Sequence, residues 1–127
     1  MKIAHIAIWT KDLEAMKDFY TRYFEGKSNV KYVNNSTLFE SYFISFDDGA
    51  TLELMQKQSV TKPADTEEQL GLTHMAFRLG SVEAVLSLTE TLRSDGYVVA
   101  GEPRTTGDGY FESVILDVEG NKIELLA

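Results

Sequence analysis

The chain has no cysteine, only two histidines among 127 residues, and too few basic residues to balance its acids, which leaves a formal charge of −8. Each scarcity removes a class of function. Without cysteine there is no disulfide framework, no thiolate metal site and no thiol nucleophile, so any bound metal must rely on imidazole and carboxylate. The acidic balance argues against nucleic acid or an anionic membrane as the main partner, because both select basic surfaces. No uninterrupted apolar run is long enough for a membrane span or a signal peptide, and a cytoplasmic location is expected.

What remains is ordinary globular material. Hydrophobic residues make up 43% and aromatics 11%, enough for one domain, 1–127, to bury a core without staples. Residues 2–9 alternate like a strand, and then the period changes to that of a helix. Leu13, Met16, Phe19, Tyr20, Tyr23 and Phe24 share one side of it, with Asp12 as N-cap and Gly26 as its stop. Strands are expected at 29–33, Leu38–Phe46 and Thr51–Gln56, with a hairpin turn at Asp47-Asp48-Gly49. Polar residues 57–71, including Pro63, read as a connecting loop. A strand around His74 follows. Next comes a helix capped by Ser81 and ending at Gly96, with Val82, Val85, Leu86, Thr89 and Leu92 on one side. After it come a strand at 97–100, a Gly-rich loop Glu102–Gly109, a strand Tyr110–Leu116, a turn at Glu119-Gly120-Asn121, and a strand Lys122–Leu126.

The second half repeats the first. His74 stands 69 positions after His5, Gly96 stands 70 after Gly26, and both Gly120 and Glu124 stand 71 after Gly49 and Glu53. One recurrence at this spacing predicts a duplicated β-α-β-β-β unit, with modules 1–56 and 72–127 joined by the loop 57–71. The expected class is α+β.

Strand parity then sorts the ionisable residues. His5, Glu53, His74 and Glu124 each lie on the side of their strand opposite a purely apolar set, which is the set a helix would cover. Singly, a strand histidine is more often hydrogen-bonded in the core and a strand glutamate more often solvent-facing. Together, two imidazoles and two carboxylates on helix-free faces suit one divalent cation, Zn²⁺ or Ni²⁺ first and Co²⁺, Mn²⁺ or Fe²⁺ next. Six-coordinate geometry would leave two positions for substrate oxygens.

Several segments carry a family resemblance over essentially the whole chain: His5-Ile6-Ala7-Ile8, Asp18-Phe19-Tyr20, Thr51-Leu52-Glu53-Leu54, Leu72-Thr73-His74-Met75-Ala76-Phe77, and Asp117-Val118-Glu119-Gly120-Asn121-Lys122-Ile123-Glu124-Leu125. The sequence resembles the vicinal oxygen chelate superfamily, whose members include glyoxalase I, extradiol dioxygenases, methylmalonyl-CoA epimerase, and fosfomycin and bleomycin resistance proteins. Val118 departs from it, standing where the family usually has proline. The resemblance implies two βαβββ modules forming a cupped mixed sheet with helices on the outer face, around one metal. All four glyoxalase I ligand positions are filled, by His5, Glu53, His74 and Glu124, whereas dioxygenase-like members typically use three and bleomycin-binding members lack the set.

The implied reaction converts the hemithioacetal of a 2-oxoaldehyde and a thiol to a 2-hydroxyacyl thioester. The base would be one of the glutamates, Glu124 ahead of Glu53. Arg78, on the side of His74, and Arg104, at the head of a loop able to act as a lid, are candidate binding groups for an anionic substrate; a surface charge or an internal salt bridge explains each equally well. The implied partners are a small-molecule thiol adduct and a second copy of the chain, with glyoxalase-type sites often shared across a homodimer. The alternatives are another metalloenzyme of the family, an epimerase or an iron dioxygenase, and a non-catalytic protein that sequesters a ligand or antibiotic.

Overall fold

The computed structural model describes residues 1–61, 71–107 and 109–127. Most of the expected connecting loop, with Pro63, lies outside the described residues, as does Asp108. The chain divides into two compact units, Met1–Ala64 and Asp65–Ala127.

Unit 1 runs β1 (His5–Trp9), α1 (Leu13–Tyr23), β2 (Lys27–Ser28), β3 (Tyr32–Asn34), β4 (Phe39–Ser45) and β5 (Thr51–Lys57). Its sheet has the order β1-β5-β4-β2, with β3 also on β4 and β1 parallel to β5. Unit 2 runs β6 (His74–Arg78), α2 (Val82–Ser94), β7 (Val99–Thr105), β8 (Phe111–Leu116) and β9 (Lys122–Leu126), in the order β6-β9-β8-β7 with β6 parallel to β9. The α+β class and the duplicated module are therefore present. In each, the last strand in sequence lies between the first strand and the one before it, which brings the N-terminal histidine strand against the C-terminal glutamate strand.

Each helix covers one face of its own sheet. Asp12 caps α1 by accepting the Ala15 amide at 3.0 Å, and Ser81 caps α2 by accepting the Ala84 amide at 3.1 Å. Leu13, Met16, Phe19 and Tyr20 of α1 are buried with Tyr42, Ile44, Leu52 and Leu54 of the sheet. Each such aliphatic side chain stabilises its unit by about 2 kcal/mol. In unit 2 the buried set is Val85, Thr89 and Leu92 with Ile115, Ile123 and Leu125. Val82 and Leu86, expected on the inner side, remain 37% and 42% exposed. The buried line follows the i, i+4 and i+7 row from Val85; Leu86 lies about a quarter-turn off it, and Val82 is the first residue of the helix. Thr89 fits this core because its hydroxyl donates to the Val85 carbonyl at 2.6 Å and meets the Ser113 hydroxyl at 2.7 Å.

The change of repeat spacing from 69 to 71 has a local cause. α1 has 11 residues and α2 has 13, while their N-caps are 69 apart and their C-caps, Phe24 and Asp95, are 71 apart. After α2, Gly96 takes φ 91° and the Gly96 and Tyr97 amides donate to the Arg93 and Leu92 carbonyls, the paired closure of a Schellman ending. After α1 the equivalent left-handed residue is Glu25, at φ 54°, rather than the expected Gly26. Gly26 serves a different need, since a Cβ there would collide with the Ile44 side chain.

Two strands differ from expectation. Of the strand expected at 29–33 only 32–33 is strand, within β3, and β2 precedes it at Lys27–Ser28, with the Asn29 side chain accepting the Phe43 amide at 2.8 Å between the two. β7 extends through Thr105, so residues 102–105 are strand and not loop. Its pairing to β8 shifts register twice, between Val99 and Gly101 and between Gly101 and Arg104. These irregularities break the alternation that would have marked it as a strand.

Candidate metal centre

The helix-free face of unit 1 carries His5 and Glu53. In the parallel pairing of β1 and β5, Glu53 stands opposite Ala7, so His5 and Glu53 are diagonal neighbours on one side of the sheet. His5 Nε2 lies 3.8 Å from Glu53 Oε2. Unit 2 repeats the placement: Glu124 stands opposite Ala76, and His74 Nε2 lies 3.3 Å from Glu124 Oε2. The Thr73 hydroxyl is 3.0 Å from the other ring nitrogen of His74. The imidazoles are about half exposed while the carboxylates are 16% and 22% exposed, so each pair presents nitrogen and oxygen donors at an open surface.

The donor chemistry fits a divalent ion. Two ligand atoms each about 2.0–2.2 Å from one cation, at angles near 90–110°, are themselves about 3.0–3.5 Å apart. The separation in unit 2 falls in that range and the one in unit 1 exceeds it slightly. Among the described residues neither Glu53 nor Glu124 pairs with a lysine or arginine. Each carboxylate instead faces a neutral-capable imidazole, an arrangement a cation would complete. The four predicted ligands are thus brought together two and two; among the described residues no group of three or more His, Asp or Glu forms by itself.

Arg78 is on the histidine side of β6, as its parity requires. It donates from Nη1 to the Ala127 carbonyl at 2.6 Å and stands over the Tyr110 ring at 6.0 Å. Arg104 is not at the head of a loop. It lies within β7, where its Nη2 is 3.5 Å from Glu112 Oε1, and the turn beyond it is closed by the Gly109 amide on the Thr106 carbonyl. Sequence reasoning missed Glu112, a carboxylate only 12% exposed whose strand parity puts it with Glu124. The alternation of β8 was the signal available for it.

The strongest electrostatic perturbation lies elsewhere, on the helix side of unit 1. The Lys31 ammonium, 2.7 Å away, holds the Glu14 carboxyl at about 2, well below its ordinary 4.5, with Lys17 and the Tyr42 hydroxyl adding to the effect against the cost of burial. Tyr42 therefore packs under α1 and does not line the candidate site. Trp9 does share the His5 face, 45% exposed.

A family model described as the Glyoxalase/Bleomycin resistance protein/Dioxygenase superfamily matches residues 2–125. The chain belongs to that superfamily. A relative from Bacillus subtilis (strain 168), the uncharacterized protein YqjT, is 30% identical over 97% of this chain and 96% of its own length. Among solved structures, a glyoxalase family protein from Enterococcus faecalis overlays with a TM-score of 0.80 at 21% identity, covering 99% of this chain and 97% of that one. Glyoxalase I from Zea mays overlays with a TM-score of 0.78 at 22% identity, covering 98% of this chain and 44% of the longer plant chain. At such identities these overlays establish the superfamily fold. No helix among the described residues is long and apolar enough to cross a membrane.

Proposed function

We propose that this superfamily member is a metal-dependent, glyoxalase I-like lyase that isomerises the hemithioacetal of a 2-oxoaldehyde and a thiol to a 2-hydroxyacyl thioester. The observation that carries the reading is the twofold recurrence of one imidazole and one carboxylate, in the same diagonal register, on the helix-free face of both units. His5, Glu53, His74 and Glu124 would hold one divalent cation, Zn²⁺ or Ni²⁺ by preference, within one chain or across a homodimer. When bound, such an ion stabilises negative charge developing on two neighbouring substrate oxygens.

The chain's own groups supply the proton chemistry. A glutamate carboxylate takes the proton from C1 of the hemithioacetal and returns it to C2. C1 rises to the thioester level while the C2 ketone becomes an alcohol, so no external oxidant or reductant is needed. We assign this role to Glu124, with Glu53 as its counterpart. Arg78, already oriented by the Ala127 carbonyl and Tyr110, is placed to receive an anionic group of the thiol. Arg104 is less available, being engaged with Glu112.

The test is thioester formation from methylglyoxal and glutathione, or another cellular thiol, by protein loaded in turn with each candidate ion. Glu124→Gln should lower kcat by at least about a hundredfold, the usual contribution of a positioned acid–base group. Oxygen uptake with a catechol, in the absence of any thioester product, would replace this reading with that of a dioxygenase.

A further inference from the structure

An aspartate followed by glycine is the pair in which a main-chain amide most easily meets the carboxyl of the residue before it, because glycine has no side chain to keep the two apart. The chain has three such pairs, Asp48-Gly49, Asp95-Gly96 and Asp108-Gly109. The fold treats them differently. In the turn between β4 and β5 the Gly49 amide donates to Asp48 Oδ1 at 2.7 Å. That oxygen is bonded to Cγ, and a carbon–oxygen length of about 1.2 Å leaves the Gly49 nitrogen at most about 4 Å from the side-chain carbon. The pair is held near the separation from which such atoms react. Both residues are exposed, and nothing lies within 4 Å of where a Cβ on Gly49 would stand, so no neighbour obstructs a closing ring. The other two glycine amides are engaged with main-chain carbonyls. Asp95 is the C-cap of α2, at φ −81° and ψ 1°, and the Gly96 amide after it donates to the Arg93 carbonyl at 3.1 Å. The Gly109 amide donates to the Thr106 carbonyl at 3.0 Å. Among the described residues, Gly49 is thus the glycine whose amide rests on the carboxyl of its own preceding aspartate.

We infer that Asp48 is a site of spontaneous covalent modification, where the chain closes to a succinimide with Gly49 and reopens as isoaspartate. The Gly49 nitrogen forms a bond to Asp48 Cγ, the bond from Cγ to the carboxyl hydroxyl breaks, and that hydroxyl leaves with the amide proton as water. Water then adds to either carbonyl of the ring. Breaking the new Cγ–N bond restores aspartate. Breaking the original peptide C–N bond leaves the chain running through Cγ, with the former main-chain carbonyl carbon as a free carboxylate. One water leaves and one returns, so no oxidant, reductant or cofactor is required. The product has an extra main-chain atom three residues before Thr51, whose amide ties the start of β5 to the Ala4 carbonyl, opposite His5. The chemistry is the chain's own and stands apart from the proposed lyase activity.

The test is to hold the purified full chain at physiological temperature for days to weeks and to locate isoaspartate by mass-spectrometric peptide mapping. An isoaspartyl carboxyl methyltransferase with labelled S-adenosylmethionine serves as the probe. The peptide containing Asp48 should gain isoaspartate at least about fivefold faster than those containing Asp95 or Asp108, through a form lighter by one water. Asp48→Glu, whose longer side chain would have to close a larger ring, should leave the hairpin peptide unlabelled while the other two keep their rates. Protein unfolded in urea separates fold from sequence: the same dipeptides are present without the native geometry, and the three rates should come within about twofold of one another. Equal rates in the folded chain, or a lead for Asp48 that persists undiminished in urea, would overturn the inference.

Discussion

His5 and His74 were identifiable as a pair because the chain has no others and because each sits on the polar side of a strand whose opposite side is wholly apolar. Parity also placed Glu53 and Glu124, since β5 and β9 are regular over the residues that matter. Parity was not applied to Arg104, which read as the head of a loop and lies in β7. The register shifts in β7 disguise the strand, and a sequence containing Pro103 and Gly107 reads as a loop. The partner that engages Arg104, Glu112, was legible only as an alternation within β8.

Also at the level of single residues, the Glu14 contacts make a pH-dependent contribution whose sign follows from the shift. The carboxyl is held at about 2 in the folded chain against an ordinary 4.5, so its stabilising effect is complete above about 4.5 and is lost as pH falls toward 2. Half of the Glu14 side chain is open to solvent, and screening keeps the effect to about 1 kcal/mol or less. Chemical denaturation across that interval should therefore show a steeper acid loss for the native chain than for Glu14→Gln. Parallel curves would mean that the Lys31 contact contributes nothing to folding.

Among the elements, both helices were legible from their caps and apolar stripes, and so was the end of α2 at Gly96, whereas the end of α1 was not. The two-residue difference between α1 and α2 absorbs the change in repeat spacing, and it moves the left-handed residue after α1 to Glu25. Sequence favours glycine at such a position, so Gly26 looked like the stop; the close approach of Ile44 is a tertiary contact that no local pattern encodes. The two positions should respond oppositely. Glu25→Gly should stabilise the chain by about 1 kcal/mol by relieving a left-handed non-glycine residue, while Gly26→Ala should destabilise it by about 1–3 kcal/mol through overpacking. Thermal unfolding of the two variants checks both, and a neutral Gly26→Ala would show that the α1–β4 packing yields without cost.

For the whole molecule, the repeat was the most informative feature of the sequence. It gave the two βαβββ modules, and with them the recurrence of one imidazole and one carboxylate that the structure places in equivalent register. The superfamily hosts several functions, so membership sets the fold and not the site chemistry or the substrate. The central claim is that the two pairs serve a single ion. Metal content of the purified, reconstituted protein measured alongside His5→Ala and His74→Ala tests it most directly. The account predicts one divalent ion per chain and its loss from each variant. Two ions per chain, or an ion retained in either variant, would contradict it.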